Sequence, residues 1–266
     1  MTDTKHKQIR GDVEKFSTDS KALAMYTPYG WRGKIGLICP STNTSIEPEF
    51  QMMAPDGVSI HVSRAFQDGP QEPALYKQIA SNVEDASRNL GSADIDVVAF
   101  GCTSCTYFAD GEPILKTMSR LTGAPSVLTA TAVLDSMKAL GVKRIGLATP
   151  RTDFVNKREK EWFAEHGIEV VALRSLQMGE SAQERANIGR VPPQVAAKLG
   201  SLVNSKDADA IFISCTNLPS LSIIQDLENE VGKPVITSNQ ATFWQCLRLI
   251  GIKTTVQGFG KLLNNH

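Results

Sequence analysis

Residues 97–103 read Val97-Val98-Ala99-Phe100-Gly101-Cys102-Thr103, and residues 211–216 read Ile211-Phe212-Ile213-Ser214-Cys215-Thr216. Each is a short apolar run that ends on Cys-Thr, the pattern of a strand buried on both faces of a parallel sheet. The likeness extends outward. Asp94-Ile-Asp96 precedes the first run and Asp207-Ala-Asp209 the second, and the two cysteines are 113 residues apart. Upstream, Gly33-Lys-Ile-Gly-Leu-Ile-Cys-Pro-Ser-Thr42 matches Val142-Lys-Arg-Ile-Gly-Leu-Ala-Thr-Pro-Arg-Thr152, with Gly36 and Gly146 offset by 110. Downstream, Gly123-Ala-Pro-Ser-Val-Leu-Thr129 matches Gly232-Lys-Pro-Val-Ile-Thr237, with Pro125 and Pro234 offset by 109. Three blocks in one order at nearly one spacing describe a duplicated α/β core, with halves of ordinary domain size.

Short β-rich runs alternating with longer amphipathic segments predict parallel strands with helices between them. The expected strands are Lys34–Cys39, Asp96–Gly101, Ser126–Leu128, Arg144–Ala148, Glu169–Leu173, Ala210–Ser214 and Val235–Thr237. Residues 1–30, polar and closed by Pro28 and Gly30, are expected to form an irregular N-terminal arm. The first half is expected over 31–128, with 241–266 returning to it, and the second over 129–240.

Composition narrows the function. With 28 Lys and Arg against 28 Asp and Glu, and no run of either sign, there is no electrostatic footprint for nucleic acid. No apolar stretch is long enough to cross a membrane and the first ten residues are polar, so a cytoplasmic protein is expected. Five cysteines, an odd number in a long chain, indicate free thiols. The four histidines lack metal-ligand spacing, and no Gly-rich nucleotide loop follows a strand, so neither a metal nor an organic cofactor is expected.

Sites in parallel sheets lie beyond the carboxyl ends of the strands, where Cys102 and Cys215 fall. Backbone N–H groups in such loops favour a thiolate, the reactive form of cysteine. If the halves face each other, the two thiols approach a substrate from opposite sides. Cys39 and Cys246 read as core thiols. Cys102-Thr-Ser-Cys105 also has the spacing of a dithiol redox site, but that leaves the repeat unexplained, and Cys105 is expected to be a small residue in a tight loop. In the first-strand loops, Ser41 and Asn43 of Pro40-Ser-Thr-Asn-Thr-Ser45 offer neutral donors to a carboxylate, one residue of this cluster also capping the next helix. Arg151, opposite Ser41 in the repeat, offers a bidentate donor or faces solvent. Asn187 precedes a Pro-marked helix start and is either a cleft or a turn residue.

These motifs resemble the aspartate/glutamate racemase superfamily, in its maleate cis-trans isomerase branch, which includes arylmalonate decarboxylase-like proteins. The resemblance is carried by Pro40–Glu49, Cys102-Thr-Ser104, Thr149-Pro150 with Asp153–Glu159, Asn187–Pro193 and Cys215-Thr-Asn-Leu218. It implies two pseudo-symmetric Rossmann-like halves with parallel four-stranded sheets and an active site in the cleft between them. It further implies a cofactor-independent isomerase of a small cis-dicarboxylate. Cys102 would add to the alkene and Cys215 would act as acid/base. The carboxylates would lie near Asn43, Thr103 and Ser104 and near Thr216, Asn217 and Asn187. Cysteine at 102 departs from the decarboxylase branch, where glycine is typical, and Arg151 stands where the family commonly has tyrosine. A homodimer or higher homo-oligomer is expected from the resemblance alone. Two alternatives accompany it: a two-thiol racemase of an amino acid or hydantoin, and a non-catalytic dicarboxylate-binding protein.

Overall fold

A computed structural model describes residues 29–266; the proposed arm lies outside the described residues apart from its last two positions. Eight strands form two parallel sheets. The first contains β1 (Gly33–Pro40), β2 (Val58–Ala65), β3 (Val97–Phe100) and β4 (Ser126–Leu128), in the order β2-β1-β3-β4. The second contains β5 (Arg144–Arg151), β6 (Glu169–Met178), β7 (Ala210–Ile213) and β8 (Val235–Thr237), in the order β6-β5-β7-β8.

The sequence repeat is a repeat of register. Gly36 pairs with Val98, four residues before Cys102, and Gly146 pairs with Ile211, four residues before Cys215. Asp96 accepts the Lys34 backbone N–H at 2.7 Å, and Asp209 accepts that of Arg144 at 2.8 Å, so each aspartate pins the start of its central strand. Gly123 and Gly232 recur because each ends a helix in the left-handed region, at φ 71° and 72°, where a Cβ is disfavoured.

Helices α1 (Ile46–Met53), α2 (Pro73–Gly91), α3 (Thr103–Phe108) and α4 (Gly111–Thr122) lie in the first half, and α5 (Thr129–Ala139) follows β4. Helices α6 (Asp153–Glu165), α7 (Ala182–Ile188), α8 (Pro193–Leu202), α9 (Ile224–Val231), α10 (Ser238–Leu249) and α11 (Gly260–Asn265) complete the chain. The equivalent helices α5 and α10, each leaving the last strand of its sheet, pack on one another, and α10 also packs on α1 and β3. There Phe50 and Phe243 meet edge to face at 5.3 Å. An apolar core, with Leu37, Phe50 and Val97 from the first half and Leu147, Phe212 and Ile236 from the second, runs through both halves. Each such side chain contributes about 1.5–3 kcal/mol by leaving water, so the junction that carries the cleft is held as firmly as the halves.

The strand expectations need one addition, two long extensions and shifts of one residue at the ends of β1, β3 and β7. β2, an edge strand, was not among those expected, while β5 continues to Arg151 and β6 to Met178. Among the described residues no helix is long and apolar enough to cross a membrane.

Candidate active site

The two Cys-Thr strand ends are clasped together. The Thr216 hydroxyl donates to the Gly101 carbonyl at 2.9 Å and accepts from the Asn43 side-chain amide at 2.9 Å. Ser238, first residue of α10, links the other pair: its Oγ accepts the Cys215 backbone N–H at 3.1 Å and the Thr103 hydroxyl at 3.1 Å. Both thiols therefore sit on one hydrogen-bonded seam. Cys102 is 5% and Cys215 4% exposed.

The matched cysteines are not equivalent. Cys102 is extended and stands at the N-cap of α3, whereas Cys215 has φ 91° and is followed by a turn. A non-glycine residue in that region is strained, and such strain concentrates at functional sites. Cys105 is not a loop residue. It lies in α3, and its sulfur is in hydrogen-bond contact with the Cys102 sulfur at 3.0 Å. That bond, with further support from the backbone N–H groups of Cys105 and Ser104 and the charge of Arg151, pulls the Cys102 thiol below its usual range against the effect of burial. Burial pushes the Cys105 thiol up, so it keeps its proton beside a Cys102 thiolate.

Cys102 borders a narrow cavity of about 20 Å³ between the halves. One wall is neutral and polar, with Thr42, Asn43, Thr216 and Asn217. The lining also includes Arg151, Arg185 and Tyr76, with Leu75 and Ile79 of α2. Cys215 does not itself border the cavity, so of the two thiols expected to meet there only Cys102 does so.

Arg151 ends β5. Its backbone is fixed, its N–H bonding the Thr149 hydroxyl at 3.0 Å and its carbonyl accepting from Asn156 and Ser175. Its guanidinium has no hydrogen-bond acceptor and no ion pair among the described residues, and its Nε is buried. Burial opposes the charge, yet Cys215, Tyr76, Cys102 and Glu159 outweigh it and hold Arg151 firmly protonated. A buried charge without a partner is costly, and a carboxylate in the cavity would supply the partner. Arg185 Nε, of another residue lining the cavity, is also buried and unpaired.

The remaining expected residues divide. The Asn43 oxygen caps α1 by accepting from Ser45 N at 3.0 Å and Ile46 N at 3.1 Å, which leaves one amide hydrogen for a ligand. Asn217 accepts from Thr44 N at 2.9 Å and donates to the Arg185 carbonyl at 2.9 Å, so it braces the cavity wall. Ser41 accepts from Gln67 N at 3.1 Å and, with Thr103 and Ser104, lies outside the cavity lining. Asn187 is turned from the cavity and bonds Gln183 at 3.1 Å; Arg185, two residues earlier on α7, is the cavity residue.

Several site residues were not anticipated. The loop 66–72 that follows β2 covers the cavity. Gln67 bonds Thr42, Gln71 bonds Thr152 at 2.5 Å and Glu180 at 3.1 Å, and Arg185 Nη2 donates to the Gly69 carbonyl at 2.6 Å. Behind the seam, Glu159 of α6 is 1% exposed and accepts from Tyr107 at 3.0 Å and Ser214 at 2.6 Å. Burial raises its carboxyl to about 7, against those two hydrogen bonds and Arg151. Glu159 thus ties α3, which follows Cys102, to Ser214, which precedes Cys215. Among the described residues no group of three or more His, Cys, Asp or Glu side chains could hold a metal ion.

Known proteins are similar to this chain in sequence and fold. Arylmalonate decarboxylase from Bordetella bronchiseptica is 28% identical over 235 residues, covering 85% of this chain and 97% of that protein. Maleate isomerase from Geobacillus stearothermophilus is 27% identical over 248 residues, covering 87% and 97%. The crystal structure of the maleate isomerase Iso from Pseudomonas putida S16 aligns with a TM-score of 0.80 at 25% identity, covering 88% of this chain and 98% of that one. A Cys-to-Ser mutant of Nocardia farcinica maleate cis-trans isomerase, with a covalently bound succinylcysteine intermediate, has the same fold, with a TM-score of 0.80 at 21% identity over 88% and 99% of the two chains. The family described as arylmalonate decarboxylase matches residues 35–263, nearly the whole of the described chain, and this protein belongs to it.

Proposed function

We propose that this protein is a cofactor-independent cis-trans isomerase of a small cis-dicarboxylate, maleate or a substituted maleate, acting through a covalent Cys102 adduct. One observation carries the reading: a sulfur held toward its thiolate form borders the same cavity as an unpaired buried guanidinium. Relatives named maleate isomerase and a fold neighbour trapped as a succinylcysteine support it.

The Cys102 thiolate adds its electron pair to one alkene carbon, and the alkene pair moves onto the adjacent carbon and its carboxylate. Arg151 faces the charge that develops there, where a fixed cation in a dry site is most effective. Cys215, on the adjoining strand end, reaches the substrate only once the cavity opens, and there lends a proton to that carbon or stabilises the adduct, and takes the proton back. The former double bond is now single and rotates. Elimination returns the electron pair to sulfur and releases the trans product. No outside electron donor is required, because the nucleophile that enters is the group that leaves.

The second carboxylate falls to the neutral wall of Asn43 and Thr216. Arg151 and Arg185, which line the same cavity, suit an anion. The cavity of about 20 Å³ holds one or two waters, so substrate entry requires the 66–72 loop to open. Proton NMR of maleate with purified protein tests the proposal. Fumarate signals with wild type and none with Cys102→Ala are expected. No product from either maleate or 2-methylmaleate would overturn it.

A further inference from the structure

The isomerisation outlined above makes no use of the Cys105 thiol as a reactant, although its sulfur is the nearest hydrogen-bonding neighbour of the nucleophile, at 3.0 Å. We propose that Cys102 and Cys105 form a redox modification site for hydroperoxides, in which Cys105 resolves oxidised Cys102 as a disulfide that low-molecular-weight thiols reverse.

Geometry carries the inference. Cys102 stands at the N-cap and Cys105 in the first turn of α3, a spacing that brings side chains onto one face of the helix. The two sulfurs already point at each other. A disulfide requires Cβ atoms about 3.5–4.5 Å apart, so closure asks for side-chain rotation and little backbone movement. Access is selective as well. Cys102 borders a cavity of about 20 Å³, room for a molecule of hydrogen peroxide's size while the 66–72 loop stays closed. Cys105 is fully buried and reaches only Cys102.

The other thiols do not compete. Cys39 and Cys246 are fully buried in the core, and burial pushes Cys39 up to about 11 and Cys246 higher still. Cys215 lies on the opposite strand end, in its strained turn, and makes no hydrogen bond to Cys102 among the described residues.

The chemistry balances in two steps. The Cys102 thiolate displaces hydroxide from hydrogen peroxide to give the sulfenic acid; sulfur loses two electrons and the O–O bond is cleaved. The Cys105 sulfur then attacks the Cys102 sulfur, the S–S bond forms, and the departing hydroxyl leaves as water with the Cys105 proton. Two external thiols restore the dithiol and leave as their own disulfide. This chemistry shares only the Cys102 thiolate with the proposed isomerisation and is read without substrate, so either can fail while the other stands.

The test treats the full-length protein with a small excess of hydrogen peroxide, then analyses intact mass and peptides. Wild type is expected to lose about 2 Da, with a Cys102–Cys105 link in the peptide map, and to return to its starting mass with dithiothreitol. Cys105→Ala at the same dose is expected to gain about 32 Da as Cys102 sulfinic acid, which dithiothreitol does not reverse. Direct passage of wild-type Cys102 to sulfinic acid, a Cys102–Cys215 link instead, or full recovery of Cys105→Ala by dithiothreitol would each overturn the proposal. The wild-type peptide map decides the matter even if the variant folds poorly.

Discussion

Arg151→Met separates what the free protein gains from Arg151 from what a ligand gains. The guanidinium is buried at the cavity wall with no acceptor among the described residues. Methionine keeps much of the volume and removes the charge. Replacing a buried charge that makes no hydrogen bond or ion pair with a packed apolar group is often neutral, or stabilising by up to about 4 kcal/mol, which for a chain of this size corresponds to a melting temperature unchanged or up to about 8 °C higher. Glu159 also faces Arg151, and its carboxyl is raised to about 7, so the measurement belongs at pH 6, where that acid is mostly neutral. The ligand effect has the opposite sign. Losing a charge-assisted contact to a carboxylate costs about 2–5 kcal/mol of binding, or roughly 30-fold to several thousand-fold in Kd. The assay is thermal melting without ligand, paired with calorimetric titration of maleate into a Cys102→Ala background that does not turn over. A lower melting temperature together with unchanged maleate affinity would show the guanidinium to be a structural partner of Glu159, and the reading of the cavity would fall.

Glu159→Gln is expected to remove a pH dependence of stability. A carboxyl near 7 in the fold against 4.5 unfolded binds more protons when folded between those values, so its contribution is complete below 4.5 and lost as the pH rises through 7. Wild type relative to Glu159→Gln should therefore lose roughly 3 kcal/mol between pH 4.5 and 8, read by urea unfolding. Asn43→Ala deletes both the α1 cap and the bond to Thr216; a loss of about 1–3 kcal/mol is expected in the same assay, and no change would show the clasp to be idle. Arg185→Ala releases the 66–72 loop from its Gly69 anchor, so amide hydrogen exchange in that loop should quicken while β3 and β7 stay protected.

Much of the fold was legible because its pattern repeats. Cys102 and Cys215 both follow continuous apolar strands, and the offsets of about 110 residues correspond to matching registers in two sheets. β2 escaped for a physical reason. It is a half-buried edge strand, and Val58-Ser-Ile-His-Val-Ser-Arg-Ala65 alternates apolar and polar residues where the other strands run apolar. That alternation is itself a strand signal. With β2 went the loop after it and the Tyr76 face of α2, which form one side of the cavity. Arg185 and Asn187 lie on one short helix about 200° apart, and only packing decides which of them faces inward. Glu159 reads as part of the charged run Lys157-Arg-Glu-Lys160; its burial comes from the way α6 lies across Tyr107 and Ser214. Arg151 was visible because the repeat aligns it with a loop of hydroxyls.

The most direct measurement is intact mass and peptide mapping of wild type, Cys102→Ala and Cys215→Ser after incubation with maleate. The account predicts a gain of about 116 Da, the mass of maleic acid added across its double bond, on Cys102. The gain should be greatest in Cys215→Ser and missing from Cys102→Ala. An adduct on any other residue, or one that persists in Cys102→Ala, would contradict it.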